Sequence, residues 1–270
     1  MPATAACEES AKKEPELLDA LSNGLALLRL FGQGVPAMTM QQVAEELGVT
    51  RAAARRLLLT LQHHGYVAQD ARRFSITPRV LELGHAYFAS MSLPVLAQPV
   101  MQALAQELQE TCSLGVLDQD AVVLLAREEP RKLLRVDLGV GRQLPAYAHS
   151  MGRVLLAALD GPALSAYFGR ASLLPLTPAT TTDPAALQAI LQRAGKDGYC
   201  VLDSEMADGF GGLSVPLRDS QSRVVAALGL SMVLGRRTRK DLVRDCLPAL
   251  QRAAQRIEAI LGARSAGPQV

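Results

Sequence analysis

The sequence contains no tryptophan and few aromatic residues, which make up 4% of its 270 positions. Charged residues account for only 20% and the formal net charge is +2, whereas apolar residues reach 49%. This composition excludes disordered and collagen-like chains, because enough apolar material is present for a real core. The small net charge does not identify a partner by itself. We therefore expect a globular protein of one large domain or two ordinary ones.

Cysteines are also scarce, and the four that occur are widely separated, at Cys7, Cys112, Cys200 and Cys246. They form no C-x-x-C pair and have no histidine at zinc spacing, so the pattern predicts reduced, mostly buried thiols and no metal. The sequence has no phosphate-binding loop, and residues 209–211 lack the third glycine of a dinucleotide-binding fingerprint. We expect no cofactor.

Long apolar runs are missing as well. The longest mainly apolar stretch, 224–234, is about half of the roughly 20 residues that a membrane span needs. The first residues are polar and acidic, which does not fit a secretory signal. The expectation is a cytoplasmic protein that does not enter a membrane.

The region 16–78 begins with two short helical patterns, after a loose tail over residues 1–15. Leucines at helical spacing predict a first helix that ends near Gly32. Thr39 is placed to cap a second helix over residues 40–47, with a glutamine at the position of the capping box. These two helices precede the segment that carries most of the positive charge.

A third helix is predicted to begin at Thr50 and to end at Gly65. Two β-prone pieces, 66–68 and 74–77, follow it around a polar turn and indicate a hairpin. Two helices joined by a tight turn and followed by a hairpin make a winged helix-turn-helix, which is a DNA-binding motif.

Positive charge is concentrated on this third helix and hairpin. From Thr50 to Arg79 the sequence has a single acid, Asp70, against six arginines, namely Arg51, Arg55, Arg56, Arg72, Arg73 and Arg79. Before Thr50, in contrast, acids outnumber bases by seven to three. A helix in the major groove and a wing on the phosphate backbone need cations at these places, so the pattern predicts DNA binding. The alternative is an ordinary solvated arginine face.

Helical and strand patterns alternate in the rest of the chain, after a predicted connecting helix over residues 79–93. Helices are predicted at 94–110, 150–159, 183–196 and 238–261, and strands at 113–117, 121–127, 132–138, 199–203, 213–217 and 223–232. Helices packed on a mainly antiparallel sheet make an α+β domain, which we place at 94–264.

Three stretches of the sequence are specific enough to indicate a family. They are LGVTRAAARRLLLTLQHHGYV, FSITPRVLELGHAYFAS with LPVLAQPV, and VGRQLPAYAHSMGRVLLA with TTTDPAAL. The chain from Ser22 to Leu261 resembles IclR-type transcriptional regulators, and more narrowly the branch that controls catabolism of protocatechuate, 4-hydroxybenzoate and related compounds. This resemblance implies a winged helix-turn-helix, a linker helix, and a GAF-like C-terminal domain that binds a small effector and supports homodimers or dimers of dimers.

The resemblance also implies where the functional residues lie. The residues expected to contact double-stranded operator DNA are Thr50, Arg51, Ala53, Arg55, Arg56, Arg72 and Arg73. The residues expected to form the effector pocket are Leu133, Val136, Leu144, His149, Ser150, Met151, Leu202, Phe210, Gly212, Gly229 and Ser231. A hydroxyl and backbone N–H groups at a helix start would favour a carboxylate and hence an acidic effector. The alternative role for Ser150 is a plain N-cap.

The sequence departs from the family pattern at several of these positions. Where relatives typically read E-x-G-L-R-S, Gly211 stands in place of the arginine and Gly212 in place of the small polar residue. Gly229 replaces a polar residue, and Leu202 replaces an acid found in some members. If these positions point inward, the pocket is roomier and less polar, which favours an aromatic acid. The segment 209–212 is alternatively a mobile lid or a simple turn.

A catalytic interpretation has weaker support. His149 and Ser150 are adjacent in sequence, where side chains rarely face each other productively, and no G-x-S-x-G elbow surrounds the serine. Asp203 and Glu205 alternate along a predicted strand and could share one face, although a solvated edge explains them equally well. The competing hypothesis is therefore a small-molecule-binding or catalytic α+β protein whose basic N-terminal domain mediates protein contacts. Salt-dependent operator binding separates the two hypotheses.

Overall fold

The computed structural model describes residues 17–32, 35–84, 93–130 and 139–265, with side chains up to residue 262. By its contacts the chain divides into two compact units, Met1–Ser90 and Met91–Val270. The division falls within the segment 79–93, which is predicted to be a connecting helix. Residues 81–84 are helical, and residues 85–92 lie outside the described part of the chain.

Before the helical residues 81–84, the described part of the first unit contains three α-helices and a small antiparallel sheet. In chain order these are α1 (Asp19–Phe31), β1 (Met38–Thr39), α2 (Met40–Leu47), α3 (Arg51–His63), β2 (Val67–Asp70) and β3 (Arg73–Ile76), with a short 3-10 turn at Pro78–Val80. The strand order is β1-β3-β2. This is the predicted winged helix-turn-helix.

Local capping explains why α2 and α3 begin and end where they do. Thr39 and Gln42 form a reciprocal capping box at the start of α2, and Gly48 ends that helix in the left-handed conformation at φ 65°. Thr50 then caps α3 by accepting a hydrogen bond from the backbone N–H of Ala53. The bounds of α2 agree with the prediction because these signals are local to the sequence.

The hairpin of this unit is tighter than the sequence suggests. The strands extend to Asp70 and Arg73, which pair with each other, so that only Ala71 and Arg72 form the turn. Ala71 adopts the left-handed conformation at φ 49°. Polarity alone predicts a turn over residues 70–73, whereas Asp70 and Arg73 pair with each other in the ladder.

Among its described residues, the second unit is a six-stranded antiparallel sheet with helices on both faces. Its elements are α4 (Leu93–Leu108), β4 (Thr111–Asp118), β5 (Ala121–Glu128), β6 (Gln143–Pro145), a 3-10 turn (Ala146–Ala148), α5 (Ser150–Leu156), α6 (Gly161–Arg170), α7 (Pro184–Asp197), β7 (Cys200–Asp203), β8 (Phe210–Arg218), β9 (Val224–Val233) and α8 (Arg239–Ser265). The strand order is β6-β5-β4-β9-β8-β7. The predicted α+β class is confirmed.

Each face of this sheet has its own apolar core. One core joins the sheet to α4 and α8 and includes Met101, Leu230 and Leu250. The other joins it to α5, α6 and α7 and includes Met151 and Leu187. Alternate residues along each strand supply the two cores, which fixes the register of the sheet.

Some boundaries in this unit differ from the prediction. The helix predicted over 150–159 ends at Leu156, because the N–H groups of Ala158 and Leu159 bond three residues back and tighten the last turn. The prediction missed α6, although Asp160 caps it and a proline occupies its first turn. The predicted strand over 132–138 lies outside the described residues.

The three described cysteines, Cys112, Cys200 and Cys246, are free and buried, whereas Cys7 lies outside the described residues. Burial raises the pKa of Cys200 to about 11 and also raises the pKa of Cys112, so both remain protonated thiols at neutral pH. Within the described ranges, no three histidine, cysteine, aspartate or glutamate residues are grouped as metal ligands. None of the helices in those ranges has the length and apolar character that a membrane crossing requires.

Candidate DNA-binding surface and effector cavity

The helix α3 separates an apolar side from an arginine-rich side. Ala54 and Leu58 are completely buried in the core of the first unit, whereas Arg51, Arg55 and Arg56 are exposed. Among the described residues, none of these arginines forms an ion pair, in contrast to Arg79, which pairs with Glu82 at 3.3 Å. Arginines that are not paired with acids can donate hydrogen bonds to phosphate oxygens, or a bidentate pair of hydrogen bonds to the edge of a guanine.

The other predicted DNA contacts have different local roles. The Thr50 hydroxyl is used as the cap of α3, and Ala53 is half-buried. Arg72 lies at the exposed hairpin tip, and Arg73 donates from Nη1 to the backbone oxygen of Ala37 at 3.3 Å. Leu59, which was not predicted as a site residue, is 41% exposed on α3. The sequence indicates this exposure, because Leu59 does not belong to the row of apolar residues at helical spacing that faces the core.

A cavity of about 180 Å³ lies on the α5 side of the six-stranded sheet. Its walls combine apolar and polar side chains. The apolar side chains include Leu124, Leu144, Met151, Leu202, Met206 and Phe210, and the polar ones include Thr111, Ser113, Arg127, Glu129, His149, Ser150 and Ser231. Such a mixture of apolar walls and a few convergent polar groups is typical of small-molecule sites.

The polar groups of the cavity stand in two rows across the sheet. In one row Arg127 pairs with Ser113, which pairs with Gly229 on the neighbouring strand. In the other row Thr111 pairs with Ser231. Side chains that pair in this way lie on the same face of the sheet, about 5 Å apart. Strand register therefore places the Arg127 side chain next to that of Ser113.

The glycines that depart from the family pattern do not enlarge this cavity. A Cβ atom at Gly211 would point to the opposite side and meet Leu234 at 2.5 Å. A Cβ at Gly212 would meet the Ser150 hydroxyl at 2.7 Å, and one at Gly229 would meet Met151 at 2.7 Å. The hypothesis of a roomier pocket is therefore wrong for these positions. Gly212 and Gly229 instead let α5 pack closely on the sheet.

The start of α5 is capped by His149 and not by Ser150. The Nδ1 atom of His149 accepts the backbone N–H of Met151 at 3.2 Å, so the ring proton is on Nε2. The Ser150 hydroxyl is 2.7 Å from that of Ser214. Because the Met151 N–H is already engaged by His149, the carboxylate cradle expected at this helix start cannot use that donor.

His149 is neutral at physiological pH. Burial, with a smaller contribution from the positive charge of Arg127, lowers the pKa of His149 to about 4. Its side chain is a wall of the cavity. The cavity therefore contains a neutral imidazole, and the field of the Arg127 guanidinium extends to it.

Arg127 and Glu129 bring opposite charges to the edge of the cavity. The Arg127 Nε donates to Glu129 Oε1 at 2.7 Å. The arginine side chain is 10% exposed, whereas that of Glu129 is 28% exposed and so has access to solvent. The Ser113 side chain next to Arg127 is buried, and its hydroxyl has no hydrogen-bond partner among the described residues.

Eight of the eleven predicted effector residues surround this cavity, namely Leu144, His149, Ser150, Met151, Leu202, Phe210, Gly212 and Ser231. Gly229 lies beneath Met151, and Leu133 and Val136 lie outside the described residues. Sequence reasoning missed Ser113 and Arg127. The sequence signal that could have identified them is a polar residue within each of two largely apolar predicted strands.

The catalytic alternative finds no support in this geometry. His149 and Ser150 bond to different partners, so the described contacts do not include a hydrogen bond from nucleophile to base. Asp203 accepts from the Ser204 hydroxyl, whereas Glu205 is buried in an ion pair with Arg153. A solvated edge is therefore the wrong description of Glu205.

A winged helix-turn-helix in one chain with a domain that contains a small-molecule cavity defines a ligand-responsive transcriptional regulator. Residues 20–71 match the IclR helix-turn-helix domain, and residues 85–259 match the bacterial transcriptional regulator IclR C-terminal model. The chain belongs to the IclR family of bacterial transcriptional regulators.

Individual relatives support the same assignment. The chain is 39% identical to the Pca regulon regulatory protein of Pseudomonas putida over 90% of this chain and 84% of the relative. It is 34% identical to the p-hydroxybenzoate hydroxylase transcriptional activator of Acinetobacter baylyi over 91% of this chain and 93% of the relative. Among solved structures, it is similar to a double mutant of the PobR inducer-binding domain from Acinetobacter in complex with 3-hydroxybenzoic acid. That match has a TM-score of 0.57 and 30% identity, and it covers 62% of this chain and 97% of that chain.

Proposed function

We propose that this regulator controls an aromatic-acid catabolic operon in the cytoplasm and that its effector is a single-ring hydroxybenzoate. The observation that carries the proposal is the cavity of about 180 Å³, with apolar walls and a polar edge that contains Arg127. A cavity of roughly 150 Å³ is enough to hold a benzene ring. A ring with one carboxylate and one or two hydroxyls therefore fits the size and the polarity of the site.

The relatives support the same class of effector. One is named for p-hydroxybenzoate hydroxylase, and the PobR inducer-binding domain was crystallised with 3-hydroxybenzoic acid. An oxo acid of two or three carbons would leave most of the apolar wall uncovered. We therefore favour protocatechuate or 4-hydroxybenzoate over glyoxylate or pyruvate.

In the proposed mechanism, α3 enters the major groove of operator DNA and the hairpin tip contacts the phosphate backbone. Thr50, Arg51, Ala53, Arg55 and Arg56 are the groove-side candidates, and Arg72 and Arg73 are the wing candidates. The protein acts as a homodimer or dimer of dimers, so that two such heads bind adjacent half-sites. We take the two DNA-binding domains of the dimer to adopt two relative arrangements. The effector can change operator affinity by no more than the ratio of its own affinities for these two arrangements.

A thermal-shift screen of the full chain tests the effector class. The compounds are protocatechuate, 4-hydroxybenzoate, β-ketoadipate, shikimate, quinate, pyruvate and glyoxylate. A ligand at a hundred times its Kd stabilises the folded state by about 2.7 kcal/mol, which is measurable as a rise in Tm. We expect the hydroxybenzoates to give the largest rise. Stabilisation by glyoxylate alone would exclude the aromatic effector.

A further inference from the structure

The cavity contains a buried hydroxyl without an internal partner. Ser113 is 2% exposed, its side chain is a wall of the cavity, and its Oγ has no hydrogen bond to any described residue. Buried polar groups in folded proteins are almost always hydrogen-bonded, to a ligand or to water where no protein group serves. The Ser113 hydroxyl is therefore available to a polar group of a ligand that packs closely against this wall.

The strand register places a cation beside Ser113 on the same face of the sheet. Arg127 is the cross-strand partner of Ser113, and its side chain also forms part of the cavity wall. A planar guanidinium donates two parallel hydrogen bonds to a carboxylate, which a serine hydroxyl can supplement with a third. Together they provide the chemistry that recognises the carboxylate of an aromatic acid.

A carboxylate already contacts this guanidinium. Glu129, two residues along the chain, accepts from the Arg127 Nε atom, and it borders the same cavity. Its partial exposure gives it a route into water. An anionic ligand that entered while Glu129 stayed in place would experience repulsion between like charges.

We propose that Arg127 and Ser113 receive the carboxylate of the effector, and that Glu129 holds the Arg127 guanidinium until that carboxylate replaces it. The proposal rests on the proposed function, because it takes the effector to be an aromatic acid. In this arrangement the carboxylate of the ligand lies against the sheet. The Nε2–H of His149 is then available to an uncharged polar group of the ligand. Glu129 then acts as an internal competitor that sets effector affinity.

The test compares an acid with its neutral isostere. Isothermal titration of the full chain with 4-hydroxybenzoate and 4-hydroxybenzamide gives the ratio of their affinities, which isolates the carboxylate from the ring and its hydroxyl. Arg127→Gln should lower this ratio about tenfold or more, and Ser113→Ala should lower it several-fold. Glu129→Gln should raise acid affinity and leave amide affinity nearly unchanged.

The matched control is Arg142→Gln, which removes one positive charge from an exposed position in the same unit. It should leave the ratio unchanged. Arg127→Lys keeps the positive charge but removes the two parallel N–H donors of the guanidinium, and it should give an intermediate acid-to-amide affinity ratio. If Arg127→Gln fails to bind either ligand, Glu129→Gln still tests the proposal. A misfolded protein cannot gain affinity for the acid alone.

Two results would overturn the assignment while leaving the proposed function intact. One is tight 4-hydroxybenzoate binding with an acid-to-amide ratio that Arg127→Gln and Arg127→Lys do not change. The other is a Glu129→Gln variant that binds the acid no better than the unmodified chain. If the unmodified chain binds no aromatic acid at all, the proposed function and this assignment both fail.

Discussion

Arg153 and Glu205 form a two-point ion pair that is almost completely buried, with side chains 1% and 2% exposed. Nη1 donates to Oε1 at 2.9 Å and Nη2 donates to Oε2. Nε of Arg153 also donates to the backbone oxygen of Tyr147, and Glu205 accepts the N–H of Thr181. The pair thus ties α5 to the loop after β7, and Glu205 itself borders the cavity.

This pair should be essential to the stability of the second unit. Burial opposes the charged form of Glu205, but hydrogen bonds and charge attraction from Arg153 outweigh it and lower the pKa of that carboxyl. Removing Glu205 leaves the Arg153 charge buried without that partner, and removing Arg153 leaves Glu205 buried with only the more distant Arg239, whose Nη2 is 3.8 Å from Oε1. We expect Arg153→Met or Glu205→Gln to reduce the free energy of unfolding by about 3 to 5 kcal/mol. Urea unfolding, followed by circular dichroism, measures the change.

The control for that experiment is an ion pair on the surface. Arg223→Met removes the exposed partner of Asp219 and should cost no more than about 1 kcal/mol. The double variant Arg153→Met with Glu205→Gln should cost less than the sum of the single changes. Single variants as stable as Arg223→Met would show that the buried pair contributes little.

His149 makes the stability of the second unit depend on pH. Its pKa of about 4 in the folded chain lies below the 6.5 of an unperturbed histidine, so the unfolded chain binds more protons between these values. The stabilising contribution is complete above pH 6.5 and is lost as the pH falls toward 4. We expect a loss of about 2 kcal/mol between pH 7 and pH 5 from this residue.

The matched variant is His149→Asn, because asparagine can accept the Met151 N–H as an N-cap but does not titrate. Its unfolding free energy should fall less between pH 7 and pH 5 than that of the unmodified chain. Carboxylates titrate in both proteins and cancel in the difference. Equal pH dependence in the two proteins would contradict the lowered pKa.

The exposed arginines of α3 should determine operator affinity. Arg55→Ala or Arg56→Ala should cost about 1 to 3 kcal/mol if the residue contacts a base edge, or reduce the salt slope by about one if it contacts a phosphate. Fluorescence anisotropy with operator DNA at several salt concentrations measures both quantities. Arg29→Ala, an exposed arginine on α1, is the control and should have a smaller effect. If Arg51, Arg55 and Arg56 can each be replaced without either change, α3 is not the recognition helix.

How much of this could be predicted from the sequence differs between the two units. The bounds of α2 follow from Thr39 and Gly48, which act on their immediate neighbours. The cavity depends instead on which residues meet across strands. Ser113 and Arg127 are 14 positions apart and become neighbours only through the register of β4 and β5, which has a shift between Leu114 and Gly115. A periodic pattern along one strand contains no such information.

The same limit explains the error about the glycines. Gly211 and Gly212 are adjacent in sequence and therefore face opposite sides of β8. The resemblance assigned both departures to the pocket, whereas the first faces the core with Leu234 and Leu242. Gly212 and Gly229 do face α5, but Ser150, Ser214 and Met151 already fill the space above them. Alternation shows that the two glycines face opposite sides, but which of them faces the cavity is known only once the pairing of β8 is known.

Gly229 should therefore be intolerant of even a methyl group. A Cβ there would lie 2.5 Å from the Ser214 hydroxyl and 2.7 Å from Met151, so both must move. We expect Gly229→Ala to cost about 1 to 3 kcal/mol of unfolding free energy and to weaken 4-hydroxybenzoate binding, because Met151 is a wall of the cavity. Gly169→Ala on α6, where a Cβ meets nothing within 4 Å, is the matched control and should be neutral or slightly stabilising. Urea unfolding and calorimetric titration measure the two effects, and a Gly229→Ala protein that behaves like Gly169→Ala would contradict the close packing of α5 on the sheet.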